Sequence, residues 1–200
     1  FVGPLSKTYR WKGVDTLMQA FRLVRGSIPN ATLTLAGQGD RFDAFARLAR
    51  DDGSLRLTGR LSDEQLVGEY QRASVVVLPS TSDAEAFGMV LAEANACGRA
   101  VVGSRIGGIP DFVTHGENGL LAIPGDPVDL ARHVITLLRD KELARQMGNA
   151  GHEKVVRDHH WGTLSLQTEQ ILDAAAQGRV NLLRRSVDAQ ASLERRTAVV

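Results

Sequence analysis

Two glutamates flank the start of a strongly apolar helical segment. Glu85 lies in the loop Pro79–Gly88, and Glu93 follows eight positions later, among aliphatic residues of Met89–Gly98. A carboxylate in such surroundings is unfavourable unless a partner or a ligand compensates it. At the mouth of a crevice, both groups would accept hydrogen bonds from a hydroxyl-rich ligand. The alternatives are that Glu85 only favours the helix start and that Glu93 pairs with an arginine.

The start of this helix is a second chemical feature of the same region. The first N–H groups of a helix have no partner within it, and together with the helix dipole they attract anions. The amides of Gly88, Met89 and Val90 are therefore suited to a phosphate.

Near the start of the chain, a basic loop, Gly3–Gly13, precedes a predicted helix that begins at Val14. It carries Lys7, Arg10 and Lys12, and cations before a helix N-terminus oppose the helix dipole. An anion held between the cations and the helix would explain their position. For Lys12 we favour phosphate binding, whereas for Lys7 a solvated surface position is the better interpretation.

Two glycine pairs follow other predicted strands. Gly37 and Gly39 resemble the start of a dinucleotide fingerprint, but Phe42 replaces the third glycine, so a tight turn fits as well. Gly107 and Gly108 precede Pro110, which suits the first turn of a helix. A structural turn and a close approach to a ligand are equally compatible with this pair.

Short β-branched runs alternate with helical patterns, which predicts a doubly wound, Rossmann-like α/β fold with a parallel sheet of about six strands. A domain of residues 1–177 is followed by a basic segment, 178–200, predicted to be a weak helix or disordered. Ligands of such sheets bind beyond the carboxyl ends of the strands, where the loops above lie. The predicted strands are Phe1–Val2, Thr32–Ala36, Arg56–Thr58, Ser74–Leu78, Ala100–Val102 and Leu120–Ile123.

Composition excludes several classes of protein. A net charge of +1 with 43% hydrophobic residues argues against disorder and against a nucleic-acid binder. One cysteine, Cys97, excludes an internal disulfide, and no apolar run reaches the roughly 18 residues of a membrane span. His159 and His160 lack further ligands at metal spacing, so we expect no metal site. A start at Phe1, inside a predicted strand, favours a fragment of a longer chain.

The combination of these segments resembles the retaining glycosyltransferases of the GT-B type, the glycosyl transferases group 1 family. The resemblance rests most strongly on the glutamate pair within Glu85–Gly98 and on the segment Gly107–Asp111 that follows it. It covers about residues 1–176, in order. The other matching segments are Phe1–Gly3, Lys12–Leu17, Leu35–Gly39, Gly59–Leu61, Ala73–Ser80 and Gly116–Leu121.

The resemblance implies a donor-binding, C-terminal half of an enzyme that transfers a sugar from a nucleotide diphosphate-sugar with retained anomeric configuration. In that assignment Lys12 neutralises the diphosphate and Glu85 holds hydroxyls of the sugar, whereas Glu93 accepts from the ribose hydroxyls. The remaining donor contacts would come from backbone near Arg60, Leu61, Phe87, Gly88, Met89 and Val90. Neither a metal nor any other cofactor is expected.

One departure from the family pattern is Pro4, where an arginine is usual, and we hypothesise that Arg10 replaces it as a catalytic residue. Asp111 also stands where glutamate is common. The resemblance implies an acceptor-binding N-terminal half outside this chain. It further implies a cytoplasmic enzyme, with peripheral association with a membrane as an option, and a bacterial role in polysaccharide synthesis. A catalytically silent nucleotide-binding module is the alternative.

Overall fold

The computed structural model of the chain describes residues 1–176, so the prediction for residues 178–200 lies outside the described part. Two compact units divide the chain: Phe1–Val155, which carries the sheets and all predicted site residues, and a second unit that begins at Val156. Within the described residues, helix Trp161–Ala176 belongs to the second unit.

Five strands pair in parallel in the first unit, in two sheets of order β1-β2 and β3-β4-β5. Every residue of β4 and β5 is buried. Because successive side chains of a strand point to opposite faces, both faces of these strands must be covered. The strands are β1 (Leu33–Ala36), β2 (Leu55–Gly59), β3 (Val75–Leu78), β4 (Ala100–Ser104) and β5 (Gly119–Ala122).

Helices connect the strands, as parallel pairing requires. The loop after Val2 also contains a 3₁₀ helix, Lys7–Lys12, which the sequence interpretation described only as a basic loop. The helices are α1 (Val14–Ser27), α2 (Phe42–Asp51), α3 (Asp63–Arg72), α4 (Met89–Ala96), α5 (Ile109–Phe112), α6 (Pro127–Arg139), α7 (Lys141–Asp158) and α8 (Trp161–Ala176).

The predicted first strand, Phe1–Val2, forms only an isolated bridge between Val2 and Ala36. Two residues are too few for a ladder, so residues 1–176 contain five strands rather than the predicted six or so. A cavity of about 470 Å³ lies between β1 and β3, and Phe1 and Val2 are among the residues that line it. Within the described residues the two sheets share no hydrogen-bonded pair of strands.

Two helices begin at side-chain caps that are encoded in the local sequence. Ser62 accepts a hydrogen bond from the Gln65 amide at 3.3 Å, and the Gln65 side chain accepts from the Ser62 amide at 3.0 Å, which completes a capping box. Asp126 caps α6 by accepting from the amide of Val128 at 2.8 Å. The local sequence thus determines where these helices begin.

Candidate functional site

Glu85 is the buried centre of the candidate site. The loop that follows β3 returns it toward the carboxyl end of that strand, and its side chain is only 6% exposed. Its Oε2 atom accepts two hydrogen bonds, from Lys12 Nζ at 2.7 Å and from Ser80 Oγ at 2.6 Å. Ser80 directly follows the strand and is fully buried. The carboxylate is therefore compensated by one cation and one hydroxyl.

Lys12 reaches Glu85 because the 3₁₀ helix packs tightly on the end of β3. At Gly13 the backbone is left-handed, with φ of 75°, and a Cβ there would lie 1.8 Å from the carbonyl oxygen of Pro79. The Thr81 amide donates to the Trp11 carbonyl at 2.7 Å, and the Lys12 ammonium lies 4.6 Å from the centre of the Trp11 ring. Residues 73 positions apart in sequence are thereby brought together.

Gly107 and Gly108 pack against the backbone of the loop Pro79–Gly88, which carries Glu85. The Gly108 amide donates to the Glu85 carbonyl at 2.8 Å. A Cβ at Gly107 would lie 2.1 Å from that carbonyl oxygen, and one at Gly108 would lie 1.9 Å from the carbonyl oxygen of Ala86. The close approach that these two glycines permit is to the backbone of Glu85 and Ala86, which supports a structural role for the pair.

The N-terminus of α4 follows the same loop. Gly88 adopts a left-handed conformation, with φ of 77°, and reverses the chain into the helix. The Leu91 amide donates to the Gly88 carbonyl at 2.8 Å. The amides of Met89 and Val90 precede this bond, at the positive end of the helix dipole. Phe87 packs its ring 5.6 Å from that of Phe112, which anchors the loop to α5.

Glu93 lies one turn inside α4 and is half-buried. Its Oε2 atom accepts a hydrogen bond from the hydroxyl of Tyr70, at 2.6 Å. The structure thus gives this glutamate a tyrosine partner rather than the arginine of the alternative interpretation. Sequence analysis did not identify Tyr70, because a single tyrosine near the end of a helix has no distinctive spacing.

Arg10 lies in the basic loop and forms an ion pair with Asp15 rather than with Glu85. Its Nη2 atom is 3.6 Å from Asp15 Oδ2, and its side chain is 70% exposed. Asp15 is also bound by both terminal nitrogens of Arg41. The hydrogen bond from Arg41 is the main reason why the pKa of Asp15 lies below its usual range. The structure does not bring Arg10 into contact with Lys12 or Glu85.

Arg60 and Leu61 follow the carboxyl end of β2 and precede the capping box of α3. Arg60 is exposed and Leu61 is half-buried. Gly37 and Gly39 follow the neighbouring strand β1, and Cβ atoms there would meet the backbone oxygens of Gly3 and Leu5 at 1.9 and 2.3 Å. This pair is a tight turn against the first loop.

The described residues hold no group of three or more His, Cys, Asp or Glu side chains that could bind a metal ion. Among residues 1–176, no helix combines the length and apolar character that crossing a bilayer requires. Close to the end of β3 and the start of α4, the groups that can bind a ligand include the ammonium of Lys12, the carboxylates of Glu85 and Glu93, and the amides of the first turn of α4.

Comparison of the sequence with known proteins identifies several relatives. The chain is 35% identical over 170 residues to the glycogen synthase of Mycobacterium tuberculosis, an alignment that covers 84% of this chain and 41% of that enzyme. It is 33% identical over 177 residues to a GDP-mannose-dependent α-(1-6)-phosphatidylinositol monomannoside mannosyltransferase of the same species, covering 84% and 46%. The chain thus spans less than half the length of these relatives.

Solved structures share the fold. The sucrose-phosphate synthase of Thermosynechococcus elongatus superposes with a TM-score of 0.75 and 30% identity, over 88% of this chain and 45% of that one. Anabaena HepE in complex with UDP superposes with a TM-score of 0.74 and 25% identity, over 86% and 48%. The fold is therefore the α/β arrangement found in glycosyltransferases of the GT-B type.

A family model matches the first compact unit. The family model named Glycosyl transferases group 1 matches residues 1–154. That range includes both sheets, the Lys12–Glu85 pair and the start of α4. This chain belongs to the glycosyl transferases group 1 family.

Proposed function

We propose that the chain is the donor-binding, C-terminal half of a retaining glycosyltransferase that uses a nucleotide diphosphate-sugar. The observation that carries this proposal is the buried cluster of Lys12, Glu85 and Ser80, next to the N-terminus of α4. It combines groups for an anion with a carboxylate for hydroxyls. Relatives that are named for transfer from GDP-mannose or solved with UDP support it.

In the proposed complex the diphosphate lies between the ammonium of Lys12 and the amides of Met89 and Val90. These donors are preorganised, because Lys12 is held by Glu85 and the amides belong to a helix. When the bond from the sugar to the diphosphate breaks, negative charge grows on the leaving phosphate. Fixed donors at that position stabilise the transition state, and removal of one such donor typically slows a reaction about 10²- to 10³-fold.

The two carboxylates would recognise the two ends of the donor. Glu85 would accept hydrogen bonds from hydroxyls of the transferred sugar, with backbone near Phe87 and Gly88 assisting. Glu93 would accept from the ribose, and backbone near Arg60 and Leu61 would face the base. Arg10 remains our candidate to compensate for Pro4, and binding of the donor would then have to release it from Asp15.

The acceptor would be bound by a separate N-terminal half, since the cleft of such enzymes closes between two domains. The chain spans 41–46% of the curated relatives described above, which supports this division. We further propose that no metal or other cofactor takes part. A cytoplasmic enzyme of bacterial polysaccharide synthesis, with peripheral membrane association of the full enzyme, is the setting we propose.

Calorimetric titration of the chain with ADP, GDP, UDP and their glucose or mannose conjugates tests the proposal. We expect one base to be preferred, and Lys12→Met to weaken its diphosphate by about tenfold or more, as expected for loss of a charged hydrogen bond. Lys7→Met is the matched control, because Lys7 lies in the same 3₁₀ helix with an exposed side chain. Its affinity should be unchanged within about twofold.

Failure of every nucleotide to bind would contradict the proposal, as would equal losses in Lys12→Met and Lys7→Met. A chain that binds nucleotides but gains no affinity from the sugar would favour the silent nucleotide-binding module. In a protein that joins this chain to an acceptor-binding domain, NMR of the product anomer would test retention directly.

A further inference from the structure

Tyr70 is a buried tyrosine whose hydroxyl has one specific partner. It lies in the last turn of α3, two residues from the end of the helix, and is 3% exposed. Its hydroxyl donates to Glu93 Oε2 at 2.6 Å and thereby links α3 to α4. The two helices are separated in sequence by β3 and the glutamate loop, so this contact depends on the tertiary fold.

The hydroxyl remains a donor at any working pH. Burial, together with the hydrogen bond to Glu93, raises the pKa of the Tyr70 phenol far above its usual range. A phenol has a single hydrogen to donate, and Glu93 Oε2 receives it. Among residues 1–176, the other oxygen of Glu93 has no hydrogen-bond partner.

A carboxylate on a flexible glutamate side chain would have to be ordered each time it binds a ligand, at a cost in side-chain entropy. The bond from Tyr70 removes part of that cost by fixing one oxygen. The other oxygen is then left for a ligand at the carboxyl edge of the sheet. Ser80 fixes Glu85 in the same way, since each glutamate has its Oε2 atom bound by a buried hydroxyl.

We propose that Tyr70 is a positioning residue that orients the Glu93 carboxylate and so determines the preference for ribose over deoxyribose in the bound nucleotide. The inference rests on the proposed function, because it assigns to Glu93 the ribose of the donor. Tyr70 itself does not touch the ligand. Its contribution is therefore to the discrimination between sugars of the nucleoside, and not to binding of the diphosphate.

The test compares, for each protein variant, the affinity of a nucleoside diphosphate with those of its 2′-deoxy and 3′-deoxy counterparts. The nucleotide is whichever of ADP, GDP and UDP the wild-type chain binds most tightly. In the wild type we expect at least one deoxy form to bind about tenfold more weakly, as for loss of a hydrogen bond to a charged group. In Tyr70→Phe the ratio of the affinity for the ribose nucleotide to the affinity for that deoxy form should fall by about threefold or more.

Two further variants separate positioning from a structural role. Glu93→Gln should reduce the ratio as well, whereas Tyr9→Phe should retain it, because Tyr9 is the only other tyrosine of the chain and is 44% exposed. Both affinities in a ratio come from one preparation, so partial unfolding of a variant cancels. A full wild-type ratio in Tyr70→Phe, with both affinities lowered equally, would overturn the inference.

The remaining outcomes are also decisive. If the wild-type chain binds a nucleoside diphosphate without preferring ribose, the inference fails while diphosphate binding under the proposed function stands. If it binds none of the three nucleotides, the proposed function fails and the inference fails with it.

Discussion

The ion pair of Lys12 and Glu85 has both a structural and a chemical consequence. With 19% and 6% of the side chains exposed, both charges are largely withdrawn from water. Such a pair contributes little net stability compared with apolar residues of the same volume, but removing one partner leaves an uncompensated charge. The role of the pair is therefore better explained by the fixed positions of the Lys12 ammonium and the Glu85 carboxylate than by the stability that it adds.

Neutralising Lys12 should destabilise the protein, and neutralising Glu85 as well should recover much of the loss. We expect Lys12→Met to lower the free energy of unfolding by about 3–5 kcal/mol, because Glu85 is then a buried charge without a cation. The double variant Lys12→Met/Glu85→Gln should regain about half of that loss or more, since Ser80 can still donate to the amide oxygen.

Urea unfolding followed by circular dichroism measures both values. The nucleotide affinity should stay low in the double variant although its stability recovers. Recovery of binding along with stability would mean that Lys12 acts only by compensating Glu85, and the phosphate role would have to be abandoned.

The 3₁₀ helix Lys7–Lys12 is the element that brings the ammonium to the site. Its end at Gly13 requires a left-handed backbone and contact with Pro79 that no side chain permits. The basic character of this loop, and its position before a helix, can be recognised from the sequence. The contact between the loop and the end of β3 follows only from the packing of the two segments.

Gly13→Ala should therefore damage both the fold and the site. Strain from φ of 75° and the clash with the Pro79 carbonyl should together cost about 3 kcal/mol, measured by thermal or urea unfolding. Gly26→Ala in α1 is the matched control. Apart from its chain neighbours and the backbone of its own helix, no atom lies within 4 Å of the added Cβ, so this change should stabilise the helix by about 0.5–1 kcal/mol. Equal effects of the two substitutions would contradict this account of the loop.

At the scale of the whole molecule, two histidines couple stability to pH. His133, 8% exposed, and His115 pack ring to ring with centroids 5.4 Å apart. Burial lowers the pKa of both, and the positive charge of nearby Arg105 and Arg132 lowers both further, against the opposing effect of Asp129. Geometry also favours the neutral form of His115, because its Nδ1 atom accepts a hydrogen bond from the Leu121 amide at 2.9 Å.

The unfolded chain consequently binds protons more readily than the folded chain as the pH falls through about 6.5, the ordinary pKa of histidine. The free energy of unfolding should decrease from about pH 8 toward about pH 5, measured by urea unfolding across that range. His133→Gln should flatten the decrease. An unchanged slope in the variant would exclude His133 as a cause. Asp15, with its pKa lowered from 3.8 by Arg41, contributes only at lower pH.

Much of this organisation could be predicted from the sequence because it is local. The capping box at Ser62 and the cap at Asp126 use side chains that lie two or three residues from the amides they bind, so the local sequence determines them. The alternation of buried strands with helices likewise depends on residue patterns. The parallel α/β class and the loops that carry the chemistry follow from these patterns.

The rest depends on contacts between distant segments. Lys12 and Glu85 meet because Gly13 packs on Pro79, and Glu93 has Tyr70 as its partner because α3 and α4 lie together. The single bridge at Val2, instead of a sixth strand, also depends on pairing between segments. Local patterns specify helices, strands and turns, whereas partners across the fold are selected by packing, and only the tertiary structure decided which polar groups meet.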